Sequence, residues 1–241
     1  DGDAIGTDPN LNAAAINQQI LQLNKDYANK SNSPYIGVAT DAQVQFVLAK
    51  TDTLGNPLAE AGIDRINRTT KGWLSYKDAG WRASYVSDTI KPGSIWQAKR
   101  YLNVWLVPRI TNEKNELLGF ATFPVSSNLQ GLYDGETDST AGVVVQTGTI
   151  GSTFSPFNCG VSYGLGKTLS HEIGHFLGLR HIWGDTDCGT DYCDDTPVHF
   201  TSNSGVLTHP KSNSCGTPDE MFENYMDYTD DILLNTFTKN Q

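Results

Sequence analysis

One glutamate and three histidines fall within eleven residues, His171, Glu172, His175 and His181, in the order H-E-x-x-H-x-x-G-x-x-H. On a helix, residues four apart lie one above the other on the same face, so His171 and His175 can offer imidazole nitrogens to a single ion. Three protein ligands suffice for a catalytic zinc, whose fourth position stays open to water. His181 can be the third ligand only if the helix stops early and the chain swings back. Gly178 supplies that stop, because glycine tolerates the left-handed conformation that ends a helix. Glu172 follows the first ligand and points beside the ion, where a general base for the attacking water belongs. A bare H-E-x-x-H arises by chance on amphipathic helices, but here five positions are fixed. The pattern predicts zinc-assisted hydrolysis.

These groups need a frame. A helix over about 166–177 carries the first two histidines. Ile16, Ile20, Leu23 and Tyr27 recur at helical spacing and predict a second helix over about 11–29 with one buried stripe. Val44, Phe46 and Leu48 alternate as one face of a strand, and 101–107, 117–123 and 143–146 are further strand candidates. Trp73, Trp96 and Trp105 are expected in the core. At 241 residues, 38% hydrophobic and 18% charged, the chain can bury a sizeable core in one domain, with an upper part over 1–181 and a lower part over 182–241. A net charge of −10 with no basic run argues against nucleic acid and anionic membranes as partners, and favours a cationic substrate. No apolar run approaches the length of a membrane span. The opening Asp1-Gly2-Asp3 resembles neither an initiator methionine nor a signal peptide, so the chain is expected to begin after processing.

The lower part shows little periodicity and needs staples. Asp185, Asp187, Asp191, Asp194 and Asp195 fall within eleven residues, with no Lys or Arg between His181 and Lys211. That charge either stays solvated or surrounds a hard cation with oxygen ligands, calcium being the one to expect outside the cell. Four cysteines suggest two disulfides out of three pairings. The spacing of Cys188 and Cys193 is wrong for a zinc ribbon.

Further along comes Asn224-Tyr225-Met226-Asp227-Tyr228, with Met226 forty-five positions after His181. With it the chain resembles the metzincin peptidases, in which a methionine turn lies beneath the zinc site. The continuation Thr229-Asp230-Asp231 and Phe237-Thr238 is most similar to the pappalysin family, as are Asn10-Leu11-Asn12, Leu23 to Tyr27, Ile95-Trp96, Tyr101 to Trp105 and Leu118 to Pro124.

The resemblance implies an α/β (α+β) fold, with a twisted mixed sheet and helices above a cleft and an irregular lobe below. It implies that Gly119, Phe120 and Ala121 belong to a strand that edges the cleft and pairs with an extended substrate. Met226 is then a hydrophobic floor, and Tyr228 lends a hydrogen bond to the developing oxyanion. Asp231, the better aligned of the pair Asp230-Asp231, would select Arg or Lys just after the scissile bond. It further implies calcium held by Asp191, a carbonyl near Asp194, and Thr196; Asp185 and Asp187 align less well. The family's lower-lobe bridge corresponds to Cys188–Cys215, which leaves Cys159 with Cys193. Val206 and Leu233 stand where relatives carry another disulfide.

The expected function is that of a secreted zinc endopeptidase acting on proteins or peptides as a monomer or weak dimer, with a secretion signal and an inhibitory segment removed. The family continues past the position of Gln241, so a catalytic fragment is expected. The alternative is an inactive zinc- and calcium-stabilised binding module, against which the intact Glu172 argues. A zinc hydrolase of non-peptide bonds is disfavoured by the methionine turn.

Overall fold

The computed structural model describes residues 2–7, 9–125, 128–132, 135, 137–151 and 160–241. The first helix, α1 (Ala13–Tyr27), starts one residue after Asn12, whose side chain accepts the Ala15 N–H as an N-cap. Its inward face carries Ala15, Leu23 and Tyr27 but also buried Gln19 and Asp26. Upper-part strands follow as β1 (Trp81–Arg82), β2 (Val104–Val107), β3 (Ile110–Thr111), β4 (Glu116–Leu117), β5 (Gly119–Ala121) and β6 (Val143–Gln146). The short α2 (Ala83–Tyr85) runs into a π-helical turn, Val86–Ile90, and α3 (Gly160–Tyr163) precedes the long α4 (Lys167–Leu177). In the lower part the described strands are the paired β7 (Ser204–Gly205) and β8 (Tyr228–Thr229).

The sheet that matters for function has the order β2-β6-β5. Parallel pairing sets Val104 against Val143, and antiparallel pairing sets Gly119 against Val145. The central strand, Val143-Val144-Val145-Gln146, is buried on both faces, which explains its unbroken apolar run. The sheet is therefore mixed, and β5 lies at its edge.

Three sequence expectations change. The segment 117–123 is not one strand: Glu116–Leu117 pairs with β3, Gly119–Ala121 pairs with β6, and the Gln146 side chain caps the break by donating to the Leu117 carbonyl at 2.6 Å. The stretch Val44 to Leu48 forms no strand. Asn24 takes both backbone groups of Phe46, at 2.7 and 2.9 Å, in place of a neighbouring strand, and Val44 and Val47 stay exposed. Trp96 is not core; it is half-buried and donates to Asp64 at 3.1 Å, whereas Trp105 and Trp73 join the cluster around Trp81, Ile90 and Val144.

The main core runs from α1 (Leu23, Tyr27) through β6 (Val143, Val145) and α4 (Leu169, Ile173) into Tyr225, Met226, Leu234 and Phe237. The irregular lower part is thus anchored by apolar burial as well as by staples. One staple is the Cys188–Cys215 disulfide. Another is polar: Asn203 donates to Glu220 and Asp227 at 2.9 and 2.8 Å, and Lys211 to Glu220 at 2.8 Å. Cys193 is half-buried and unpaired among the described residues; the pairing expected for it involves Cys159, which lies outside them.

Asp26 joins three elements. Fully buried, it accepts from Lys167 (2.5 Å) and Ser170 (2.6 Å) on α4, from Tyr225 (2.8 Å), and from Gln22 and Ser31 on its own side. Asp26→Ala would strand the buried Lys167 ammonium, and breaking such a pair costs about 3–5 kcal/mol. Denaturant unfolding should register that loss; a change below about 1 kcal/mol would show that the network is dispensable.

Candidate active site

Helix α4 lies between two left-handed glycines. Gly166 precedes it at φ 84°, and Gly178 ends it at φ 109°. The Gly178 N–H donates to the His175 carbonyl and the Leu179 N–H to the Gly174 carbonyl, each at 2.9 Å. That is the Schellman pattern, and it turns the chain back so that His181 faces the helix.

Each histidine is held through Nδ1. His171 faces the Tyr225 carbonyl and His175 the Leu179 carbonyl, both at 2.7 Å, and His181 faces Asp185 Oδ1 at 2.5 Å. Those oxygens can only accept, so Nδ1 carries the proton and Nε2 keeps its lone pair. The Nε2 atoms converge, with His175 3.0 Å from His171 and 3.1 Å from His181. Three lone pairs brought together repel unless a cation lies among them. Zinc bonds of about 2.0–2.1 Å in tetrahedral geometry set ligand nitrogens about 3.3 Å apart, close to this spacing. Burial and the neighbouring imidazoles push His171 well below its ordinary pKa, and burial pushes His175 down to about 3, so both stay neutral. The donor set suits zinc.

Beneath this centre lies Met226, fully buried. A Cβ built on Gly174 would come within 2.5 Å of its sulfur, so the helix is glycine where the methionine presses on it. The turn is fixed by Asn224, whose side chain accepts the Met226 N–H at 2.9 Å, and by the Ile182 N–H, which donates to the Met226 carbonyl at 3.1 Å. On the open side the Tyr228 hydroxyl sits 2.8 Å from His181 Nε2. Burial raises its phenol pKa further, keeping the proton available for donation.

Glu172 is buried beside the histidines. Its Oε2 has no hydrogen-bond partner among the described residues, and burial pushes its carboxyl up to about 8 against the opposing Lys91 ammonium. Edge strand β5 closes over it: a Cβ on Gly119 would lie 2.8 Å from Glu172 Cγ and 2.9 Å from Oε1. Gly119 thus lies against Glu172, whereas Phe120 packs with the cluster around Trp81 and Ala121 with the main core.

Asp231 sits elsewhere, at the other end of α4. It is 2% exposed, its N–H donates to the Ser162 carbonyl at 2.7 Å, and its Oδ2 accepts from the Leu165 and Lys167 N–H groups at 2.8 and 3.2 Å. It lines a cavity of about 330 Å³ together with Gln18, Gln22, Lys25, Lys167 and Leu234. Burial pushes its carboxyl up to about 6. Asp230 accepts from the Ser162 hydroxyl at 2.8 Å.

The acidic run is divided by the fold. Asp191 is buried, and its oxygens take the Thr196 hydroxyl at 2.9 and 3.0 Å; that hydroxyl also reaches the Cys193 carbonyl at 2.8 Å. The side chains of Asp194 and Asp187 are exposed. Asp195 turns away to Thr238 and Asn240, at 2.6 and 3.0 Å. Asp185 belongs with His181 instead, a role the sequence reading missed although a carboxylate four residues after a ligand was its visible sign. Trp183, also missed, stacks on the His181 ring at 4.2 Å and 11°.

Residues 84–241 match the pregnancy-associated plasma protein-A family. An extracellular metalloprotease of Trichophyton verrucosum is 29% identical over 223 residues, 89% of this chain and 73% of that protein. One of Arthroderma benhamiae is 29% identical over 235 residues, 90% of this chain and 71% of that protein. Among solved structures, mature mirolysin of Tannerella forsythia with a cleaved peptide is 30% identical at a TM-score of 0.72, covering 96% of this chain and 82% of its own. Mirolysin with a bound compound is 32% identical at a TM-score of 0.74 with the same coverage. With these relatives, its mixed α/β fold and its converging imidazoles, the chain belongs to the pappalysin family and is a zinc metalloendopeptidase.

Proposed function

We propose that this chain is a secreted endopeptidase that cuts on the amino side of Arg or Lys. The observation that carries the catalytic part is the convergence of three Nε2 atoms next to Glu172, whose Oε2 has no hydrogen-bond partner among the described residues. Zinc held by His171, His175 and His181 supplies a Lewis acid that polarises a carbonyl and lowers the pKa of water from about 15.7 to about 7. Glu172 takes the proton of the attacking water at Oε2 and hands it to the leaving amine. Tyr228 donates its hydroxyl hydrogen to the carbonyl oxygen as charge develops there. The free edge of Gly119, Phe120 and Ala121 pairs with the substrate backbone and lays the scissile bond over these groups. The 1–181 part forms the upper wall of the cleft, and 182–241, with its methionine turn, the lower wall.

Asp231 supports the specificity. It is a buried carboxylate at a cavity of about 330 Å³ near the start of α4, shared with Lys25 and Lys167, and its negative charge complements a basic group. Because its carboxyl is raised to about 6, it is ionised above that pH and neutral below it. The preference for basic residues should therefore fade as pH falls through about 6. Mass-spectrometric mapping of new peptide ends, on either side of that value and with Asp231→Asn, tests this. Ends that begin with Arg or Lys at the higher pH and lose that bias in the variant support the assignment; an unchanged bias in the variant removes Asp231 as selector.

Calcium bound by Asp191, Thr196 and a carbonyl near Asp194 is part of the proposal, supported by the oxygens crowded around the Thr196 hydroxyl. Secretion is supported by the extracellular naming of the relatives and by the disulfide. No helix among the described residues is long and apolar enough to cross a membrane. Protein or peptide substrates and a monomer or weak dimer complete the proposal.

A further inference from the structure

The three imidazoles are tethered by different kinds of acceptor. His171 and His175 face neutral main-chain carbonyls, whereas His181 faces a carboxylate, Asp185 Oδ1, at 2.5 Å. A tight turn makes that contact. The Gly184 N–H donates to the His181 carbonyl at 2.9 Å, and Gly184 and Asp185 are both left-handed, at φ 67° and 63°. Asp is among the few side chains that tolerate this region. Gly184 has no room for a side chain, since a Cβ there would lie 2.3 Å from the Thr190 nitrogen.

Arg180 locks the turn. Its Nη2 donates to the Gly184 carbonyl at 2.8 Å and reaches Asp185 Oδ2 at 3.5 Å, while Nη1 donates to the Thr190 carbonyl at 3.3 Å. Trp183 covers one face of the His181 ring. The ring is thus held by its plane and by Nδ1, with Nε2 directed at the metal position.

We infer that Asp185 is a positioning residue for the third zinc ligand, a carboxylate that fixes the orientation and tautomer of His181 and strengthens it as a donor, itself held in place by Arg180. The need is particular to His181. His171 and His175 ride on α4 and are aligned by the helix, but His181 lies beyond the helix end and must be oriented by its own turn. A carboxylate partner also makes an imidazole a more basic ligand than a carbonyl does. The assignment removes Asp185 from the acidic run as a calcium ligand, because its oxygens are engaged by His181 and Arg180.

The inference rests on the zinc reading of the three histidines, and the test separates the two. The whole chain, stripped of metal, is titrated with zinc against a chromophoric chelator as wild type, Asp185→Ala, Asp185→Asn and His181→Ala. In parallel, the visible absorption of the cobalt(II)-loaded proteins reports the ligand field, which a merely structural residue would not move. Loss of a partner of this kind lowers metal affinity about 10–100-fold. Asp185→Ala is expected to show that loss with an altered cobalt spectrum, and Asp185→Asn, which keeps an accepting oxygen, to recover most of both. Asp185→Ala with wild-type affinity and spectrum, while His181→Ala is impaired, overturns the inference and leaves the zinc site standing. Undiminished binding in His181→Ala overturns both. If Asp185→Ala fails to fold, the asparagine variant decides: near-wild-type affinity upholds the role of the accepting oxygen, and affinity as weak as that of His181→Ala overturns it.

Discussion

Glu172→Gln is expected to lower kcat on a peptide substrate by about 10²–10⁴-fold, the usual contribution of a general acid–base group. Zinc affinity and KM should stay near wild type. The substitution is isosteric, and the space around Glu172 is closed on the β5 side, where Gly119 lies against its side chain. Oε2 has no hydrogen-bond partner among the described residues, and the charge that faces the carboxylate is the buried Lys91 ammonium, which is also held by the Thr140 and Gly142 carbonyls. A neutral amide in that position removes the charge opposite Lys91 but no hydrogen bond to Oε2, and Lys91 keeps its two carbonyl acceptors, so the fold should hold. Loss of activity without loss of fold or metal therefore isolates the proton-transfer role. A variant keeping more than a tenth of wild-type kcat would show that the proton is taken elsewhere, and the proposed mechanism would need another base.

Gly119→Ala is expected to be nearly as damaging, although it adds one methyl group to a residue with no chemistry of its own. The new Cβ would meet Glu172 Cγ at 2.8 Å, Glu172 Oε1 at 2.9 Å and the Val144 carbonyl at 2.8 Å. The last contact is backbone of the central strand and cannot swing aside. Either the edge strand moves out, losing its pairing with β6, or Glu172 is pushed from the metal position. Overpacking of this kind costs about 1–3 kcal/mol of stability, and a displacement of about 1 Å in a catalytic group can cost 10²-fold in rate. Kinetics on the same peptide, read beside denaturant unfolding, checks both. Wild-type kcat/KM in Gly119→Ala would mean that β5 does not seal the site as described.

The chemistry was legible in the sequence because it is encoded in local spacing. An i, i+4 pair of histidines, a following glutamate and a helix-ending glycine specify geometry within one helix and one turn, and the observed α4 differs from the expected helix by one residue at its start. The strand 143–146 was legible as a short apolar run, and the helix expected over about 11–29, observed at 13–27, from its period. What failed was non-local. Val44 to Leu48 alternates like a strand, yet the partner that captured Phe46 is the Asn24 side chain on α1, which no window of adjacent residues reveals. The split of 117–123 arises because Gln146, distant in sequence, takes the Leu117 carbonyl. Nothing local in the sequence marks Asp26 as the buried acceptor that joins α1, α4 and Tyr225. The acidic run read as one cluster; the left-handed turn at Gly184 and Asp185 sends one carboxylate to His181 and leaves Asp191 with Thr196.

The central claim, hydrolysis by zinc in the three-histidine site with Glu172 as base, is tested most directly by titrating the metal-free protein with zinc while following cleavage of an unfolded protein substrate. Activity should be absent without metal, rise in proportion to added zinc and level off at one ion per chain, with Glu172→Gln binding that ion yet staying flat. Cleavage that proceeds without zinc, or a wild-type chain that fills the site and cuts nothing, would contradict it.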